Sequence, residues 1–465
     1  MKRLKNEFNA LVNRGVDRHL RLAVTGLSRS GKTAFITAMV NQLLSLHAGA
    51  RLPLLSAVRE ERLIGVKRVP QRDMGIPRFT YDEGLAQLYG QPPTWPTPTR
   101  GVSEIRLALR FRSNESLLRH FKDTSTLYLE IVDYPGEWLL DLPMLAQDYL
   151  SWSRQMTGLL QGQRGEWSAQ WRKLCEGLDP LAPADENRLA AIAQAWTDYL
   201  HTCKQEGLHF IQPGRFVLPG DMAGAPALQF FPGRMSMVSA RPNWRRLINT
   251  PMRAVLRERF NYYCEKVVKG FYKEHFLRFD RQIVLVDCLQ PLNSGPQAFN
   301  DMRLALTQLM HSFHYGQRTL FRRLFAPVID KLLFAATKAD HVTVDQHSNM
   351  VSLLQQLIQD AWQNAAFEGI TMDCLGLASV QATQSGLIDV DGEKIPALRG
   401  HRLSDGRPLT VYPGEVPARL PGQAFWDKQG FQFEAFRPQV MDVDQPLPHI
   451  RLDAALEFLI GDKLR

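Results

Sequence analysis

The chain has little cysteine and no apolar stretch long enough to cross a bilayer. Its five cysteines (Cys175, Cys203, Cys264, Cys288 and Cys374) are scattered, odd in number and without C-x-x-C spacing. This excludes a disulfide framework and a cysteine-rich zinc site, and it points to a reducing cytosol. No apolar run reaches the roughly 18 residues that a membrane-spanning helix needs. The first residues, MKRLKNEFNALVNRG, place charge and asparagine between their apolar positions, so they do not read as a signal peptide. A cytoplasmic protein is expected, with peripheral contact at the inner membrane as the other option. Internal repeats and low-complexity tracts are also missing.

What is present is ordinary globular material: 465 residues, 45% hydrophobic and 22% charged. Such a length implies two or three domains, or one domain with large insertions. The formal net charge of +9 favours anionic partners, namely a nucleotide, nucleic acid or an acidic membrane surface. The plain alternative is a modestly basic soluble protein. No aromatic–basic module of the kind RNA binders use is found, so nucleic acid is not expected as a partner.

Residues 3–20 read as a basic amphipathic helix. Leu4, Phe8, Leu11, Val12 and Val16 recur at helical spacing among Lys2, Arg3, Lys5, Arg14 and Arg18. Such a helix either packs on the body of the protein or lies on an acidic membrane. Strands are expected at 21–26, 104–111, 127–133, 281–289, about 330–336 and 373–383, and helices after the first strand and at 297–323 and 345–366. Residues 91–98 hold four prolines and must form an extended loop. Residues 140–275 are mostly helical, residues 385–440 suggest hairpins, and a helix closes the chain.

Near-continuous apolar strands alternating with helices indicate an α/β fold with a mostly parallel sheet and helices on both faces. The short connection between 104–111 and 127–133 suits one antiparallel strand. The expected organisation has four parts. An amphipathic helix (1–20) precedes a nucleotide-binding domain (21–139 and 276–384, with an insertion at about 50–95). A helical insertion domain (140–275) interrupts it, and a small β-rich elaboration with the final helix (385–465) ends the chain.

The chemistry sits at strand ends. Gly26-Leu27-Ser28-Arg29-Ser30-Gly31-Lys32-Thr33 is a G-x-x-x-x-G-K-T phosphate loop between an apolar strand and a helix. Its backbone, from Ser28, Arg29, Ser30 and Gly31 through Lys32, Thr33 and Ala34, would cradle phosphates. Lys32 would reach the β- and γ-phosphates and the Thr33 hydroxyl would ligate Mg²⁺. The helix N-terminus adds its positive dipole end. Asp133-Tyr134-Pro135-Gly136 is a D-x-x-G at the end of a strand; Asp133 would hold Mg²⁺ through water, and the Gly136 N–H would contact a γ-phosphate. Thr337-Lys338-Ala339-Asp340 is T-K-x-D, a variant of the N-K-x-D guanine signature. Asp340 would accept from guanine N1–H and N2–H, which adenine lacks, while Lys338 lays its stem along the base.

In this order the motifs resemble those of Ras-like GTPases over roughly 21–44, 99–136, 281–340 and 370–383. That comparison aligns Ala378-Ser379-Val380 with the loop backing the guanine. It also aligns Thr99-Arg100-Gly101 with the T-x-G of Arf proteins and heterotrimeric G-protein α subunits, whose threonine ligates Mg²⁺ and senses the γ-phosphate; Thr97 is the competing candidate. Two departures matter. Glu137 stands where those relatives carry a catalytic Gln, and Glu cannot donate an N–H to the attacking water, so hydrolysis should be slow. Pro96 stands where the α subunits carry an arginine finger.

As a whole the chain resembles the YcjX family of bacterial stress-associated phosphate-loop proteins, often labelled predicted ATPases, through GLSRSGKTAFIT, VDYPGEWLLDLP, LVDCLQPLNSGP and ATKADHV. The resemblance implies stress induction and a membrane-associated partner, which the residues themselves do not show. The expected function is a GTP-binding switch that slowly hydrolyses GTP to GDP with Mg²⁺ and acts on a protein effector. The alternatives are an ATPase or small-molecule kinase, consistent with Thr337 in place of Asn, and a nucleotide-stabilised scaffold at the membrane.

Overall fold

In the computed structural model, which describes residues 18–113, 124–233, 251–313, 329–367, 369–427 and 433–465, strands and helices alternate through one of two compact units. Its strands, in chain order, are β1 (Arg18–Gly26), β2 (Leu63–Arg68), β3 (Ser103–Arg112), β4 (Thr124–Asp133), β5 (Arg281–Val286), β6 (Lys331–Ala336), β7 (Thr371–Gly376), β8 (Gln384–Val390), β9 (Glu393–His401) and β10 (Pro408–Val411). The first seven form one sheet in the order β2-β3-β4-β1-β5-β6-β7, and the last three a small sheet, β10-β9-β8.

β1 is parallel to β4 and β5, and β5, β6 and β7 continue in the same direction. Only β3 runs against its neighbours in this sheet, pairing antiparallel with β2 and β4. Central and flanking strands differ in burial for a reason visible in their sequences. β5 is buried at every position, as a strand covered on both faces requires. β4 alternates: Leu127, Leu129 and Ile131 are buried, while Thr126, Tyr128 and Glu130 are half-buried.

The core joins Leu22 and Val24 of β1 to Phe35, Ile36 and Met39 of the helix Lys32–Leu44 and to Leu456 and Leu459 of the helix Leu452–Ile460. Each such side chain contributes about 1.5–3 kcal/mol by leaving water. The closing helix is also held by charge. Arg281, at the start of β5 and 1% exposed, pairs with Asp330 at 2.9 Å and Asp462 at 2.6 Å, and donates to the Leu459 carbonyl at 2.6 Å.

The second unit holds the described residues within Gly136–Arg278 and Gln297–Ala326. It is helical, with Glu186–Gln205 and Met252–Tyr262 among its longer elements. Trp152 packs on Phe230 at 5.3 Å and Phe260 at 5.4 Å, and Trp171 on Trp196 at 4.9 Å. Two buried carboxylates tie it together. Asp301 accepts from Arg164 Nε at 3.2 Å and from the His209 and Phe210 N–H groups at 2.6 and 2.9 Å. Asp141 accepts from the Gly214 N–H at 2.7 Å and the Tyr263 hydroxyl at 2.5 Å, and burial pushes its carboxyl up to about 7 against those bonds.

Several expectations shift. Residues 18–20 are strand, because Arg18, His19 and Leu20 extend the ladder against Leu127, Tyr128 and Leu129; the remainder of the expected first helix lies outside the described residues. The helix expected at 297–323 is described as Pro296–Phe313. From Gln297 on it groups with the second unit rather than the nucleotide-binding domain, since Asp301 anchors Arg164 there. The helix expected at 345–366 is broken at Ile358 into His347–Leu357 and Gln359–Phe367. Of the strand-like FQFEAFRP, the described part 433–438 is not a strand; it makes a single bridge, Phe436 to Arg402.

Asp462 is expected to lend acid-sensitive stability. Burial alone would raise its carboxyl, but hydrogen bonds from Arg281 and Lys331 hold it well below the ordinary range. A depressed folded value stabilises above the unfolded value of about 4 and is lost as pH falls through the folded one. Asp462→Asn should therefore cost about 1–2 kcal/mol at pH 6, and the gap to wild type should shrink below pH 4. Urea unfolding at both pH values measures it; an equal gap at both would remove the electrostatic explanation.

Candidate functional site

The loop after β1 is shaped by two close approaches. A Cβ on Gly26 would lie 2.3 Å from Ser30 Oγ and 2.5 Å from the Leu285 carbonyl oxygen, so the first glycine is there because backbone passes against backbone. Gly31 caps the next helix with φ 83°, a left-handed conformation that side chains resist. The helix Lys32–Leu44 makes its first bond from the Phe35 N–H to the Gly31 carbonyl at 2.9 Å. The N–H groups of Lys32, Thr33 and Ala34 therefore have no partner within the helix. Lys32 curls back with Nζ 3.5 Å from the Gly26 carbonyl. Thr33 is buried, and Ser30 Oγ is buried with no hydrogen-bond partner among the described residues.

Sheet register carries the other motif residues to the same edge. Asp133, 1% exposed, ends β4 beside Val24 of β1, two residues before the loop. Gly26 pairs with Leu285 of β5, and Val286 with Ala336 of β6. Because β3 is antiparallel, it starts at this edge, with Ser103 opposite Asp133; the proline-rich loop carrying Thr97 and Thr99 enters here. Thr97 is pinned by Gln87, its hydroxyl accepting at 2.9 Å and its N–H donating at 2.9 Å. Thr99 is half-buried and not held in that way.

Behind β6, Thr337 donates its N–H to the Val286 carbonyl at 2.9 Å. Lys338 is left-handed, φ 63°, and its ammonium pairs with Asp287 at 2.6 Å. Asp340 is 3% exposed. Its Oδ2 accepts the Ala382 N–H at 2.6 Å and its Oδ1 faces His341 Nδ1 at 3.0 Å; an ionised carboxylate only accepts, so Nδ1 carries the proton. Burial alone would raise this carboxyl, yet His341 and the Ala382 N–H hold it below the ordinary range. Two bonds leave acceptor capacity on both oxygens.

The structure thus gathers the loop 26–34, Asp133, Lys338 and Asp340 at the carboxyl ends of neighbouring parallel strands, where open α/β sheets hold ligands. Gly136 and Glu137 group with the helical unit, where Glu137 is buried and its carboxylate pairs with Lys204 at 2.8 Å. Of the stretch Ala378-Ser379-Val380, Ala378 bridges to Ile450 and Val380 joins the core; Ala382 and Thr383 are the residues that reach Asp340. Sequence reasoning did not single out Asp287, His341 or Ala382. Only Asp287, directly after an apolar strand, had a local signal.

Oxygen donors suit Mg²⁺, and the buried hydroxyl of Thr33 and carboxylate of Asp133 are of that kind. Among the described residues no group of three or more His, Cys, Asp or Glu could hold a metal ion by itself, so the metal would complete its shell from water and phosphate. No helix among the described residues is long and apolar enough to cross a membrane.

The sheet order, the loop after β1 and the strand-end motifs define a Ras-like α/β phosphate-loop fold. The model of the YcjX-like family (DUF463) matches residues 20–464, and the chain belongs to that family. It is 88% identical over 465 residues to the Ras-like GTPase YcjX of Escherichia coli (strain K12), with 100% of both chains covered. It is 44% identical over 481 residues to the Ras-like GTPase YcjX of Shewanella oneidensis, covering 100% of this chain and 98% of that one.

Gly26→Ala should cost the sheet unit about 2 kcal/mol through overpacking against the Leu285 carbonyl. Gly31→Ala should cost about 1 kcal/mol from its left-handed backbone alone. Denaturant unfolding ranks the two, and a Gly26→Ala protein as stable as wild type would contradict the close approach.

Proposed function

We propose that the protein is a guanine-nucleotide-controlled switch that hydrolyses GTP slowly to GDP and phosphate, in the stress-related setting its family resemblance implies. The observation that carries this reading is Asp340, a buried carboxylate kept ionised beside Lys338 with acceptor capacity to spare. Guanine offers N1–H and N2–H to such a group; adenine offers neither and would leave it unpaired. The names of the two relatives, both Ras-like GTPases, agree with it.

In this reading the open N–H groups of Lys32, Thr33 and Ala34, with the loop backbone from Ser28 to Gly31, bind the β-phosphate, and Lys32 leaves the Gly26 carbonyl for the β- and γ-phosphates. Thr33, Thr99 and Asp133 hold Mg²⁺. When bound, the metal neutralises charge on the phosphate oxygens. Lys338 and Asp340 select the base, backed by Ala382. Hydrolysis is slow because Glu137 cannot donate an N–H to the attacking water and is already engaged by Lys204. The helical unit is the surface for an effector. Peripheral membrane contact rests on Lys2, Arg3, Lys5 and Arg14; Arg18 is already donating to the Lys463 carbonyl at 2.9 Å.

Calorimetric titration with GDP and ADP tests the central claim. GDP should bind at least about a hundredfold tighter. Asp340→Ala should weaken GDP by about tenfold to a hundredfold while leaving ADP alone, and chelating Mg²⁺ should speed GDP release. Equal affinities for the two nucleotides would favour the ATPase reading. Glu137→Gln should raise GTP turnover; an unchanged rate would clear Glu137 as a brake. Flotation on acidic vesicles, comparing wild type with a chain lacking residues 1–20, decides the membrane contact.

A further inference from the structure

The segment Phe433–Arg437 plays no part in any motif, yet it touches two of the places where the motifs matter. Phe433 lies with its ring centroid 5.7 Å from Lys338 Nζ and 5.2 Å from the His341 ring. Phe436 also packs on the His341 ring, edge-on, at 5.2 Å. His341 is the residue that hydrogen-bonds Asp340. The aromatic pair therefore walls the T-K-x-D loop.

The segment is held as a strap. Asn293 accepts the Phe433 N–H at 3.1 Å and faces its carbonyl at 3.5 Å. Asn293 belongs to the helix Leu289–Ser294, whose first N–H groups bond Asp287, the partner of Lys338. On the far side the strap hangs from the end of β9. Leu403 donates to the Ala435 carbonyl at 2.7 Å and Arg437 to the His401 carbonyl at 2.8 Å. Gly400 leaves room for Phe436, whose ring carbon would be 2.7 Å from a Cβ there.

The same strap reaches the loop that leads into β3. Trp95 Nε1 donates to the Phe436 carbonyl at 2.8 Å. Trp95 stands two residues before Thr97 and four before Thr99, in the loop that joins β3 at the Asp133 edge. One short segment thus touches both the base-selecting loop and the threonine-bearing loop.

We propose that the strap Phe433–Arg437 is a positioning element of the nucleotide site: Phe433 forms a wall of the base subsite beside Lys338 and His341, and Phe436 ties the Trp95 loop to it. This rests on the guanine reading above. A base entering beside Lys338 gains an aromatic face, and a γ-phosphate that orders the Thr99 loop does so against a strap already seated by the base. Base occupancy and response to the γ-phosphate are then linked through Trp95.

The test uses full-length protein and three ligands with Mg²⁺: GDP, a non-hydrolysable GTP analogue and inorganic pyrophosphate, which needs the phosphate loop but not the base subsite. Phe433→Ala should weaken GDP about tenfold relative to pyrophosphate, as loss of a base-stacking ring does, and Phe433→Tyr should recover it. Trp95→Phe, which deletes the N–H donor, should lower the affinity of the GTP analogue relative to GDP about threefold. An equal loss of GDP and pyrophosphate in Phe433→Ala would reduce the strap to packing and overturn the proposal, as would no loss of GDP. An unchanged analogue-to-GDP ratio in Trp95→Phe would overturn the tie. If Phe433→Ala does not fold, Phe433→Leu is read by the same ratio. Should wild type prefer ADP, the guanine reading fails, and the strap is still judged by ADP against pyrophosphate.

Discussion

Parallel strands ending at a common edge are the constraint on which everything else in the sheet unit rests. β4, β1, β5 and β6 run the same way in continuous register, so residues that follow their last buried positions arrive as neighbours. A parallel pair cannot be joined by a tight turn, and each connection must leave the sheet and return. Between β4 and β5 that return is long: the chain departs after Asp133 and comes back at Arg281, with residues 136–278 in between grouped as a separate unit. Such an insertion is cheap for the sheet, because closure entropy grows only logarithmically with loop length. What the sheet demands of it is two ends at the strands on either side of β1, and the buried run of β5 supplies the affinity for that place.

Two buried carboxylates show how a saturated and an unsaturated buried charge differ. Asp301, in the helical unit, gives one oxygen to Arg164 and the other to the His209 and Phe210 N–H groups. Its acceptor capacity is spent, and an ion so enclosed serves to fix chain segments. Asp340 is buried to a similar degree but accepts one bond on each oxygen, from Ala382 and His341. Its two bonds leave acceptor capacity unused. Unused acceptors in a low dielectric are costly unless something arrives to donate, which is why the proposed function rests on Asp340 and not on Asp301. Asp287 is intermediate, dividing its oxygens between helix N–H groups and Lys338.

The sheet and the phosphate-type loop were legible because their signals are local. Continuous apolar runs gave β5 and β6, alternation gave β3, and its short link to β4 gave its reversed direction. Less legible was whatever depends on a distant partner. Arg18–Leu20 looked helical by spacing, but the available edge of β4 made it strand. Nothing near Asp340 announces Ala382, some forty positions on, and nothing in FQFEAFRP announces that Phe433 will be seated by Asn293. Ala378 makes an isolated bridge to Ile450, and Val380 joins the core. Motifs record which atoms meet a ligand; they do not record what holds those atoms still.

The residues just past Asp133 carry the most consequential of these distant ties. Within four positions the chain passes from the sheet unit to the helical unit, and Glu137 is buried there against Lys204. Gly214 has no Cβ to spare at this point: one would sit 2.1 Å from the Glu137 carbonyl oxygen. Four residues further, Asp141 is enclosed by the Gly214 N–H and the Tyr263 hydroxyl. Moving this segment would break a largely buried ion pair and expose a carboxylate's partners, about 2–4 kcal/mol by ordinary measures. A ligand shifts such an equilibrium only by its differential affinity for the two arrangements. A single extra phosphate contact of about 1.5–3 kcal/mol is barely enough, so this segment is better built to stay in place than to swing freely with each nucleotide.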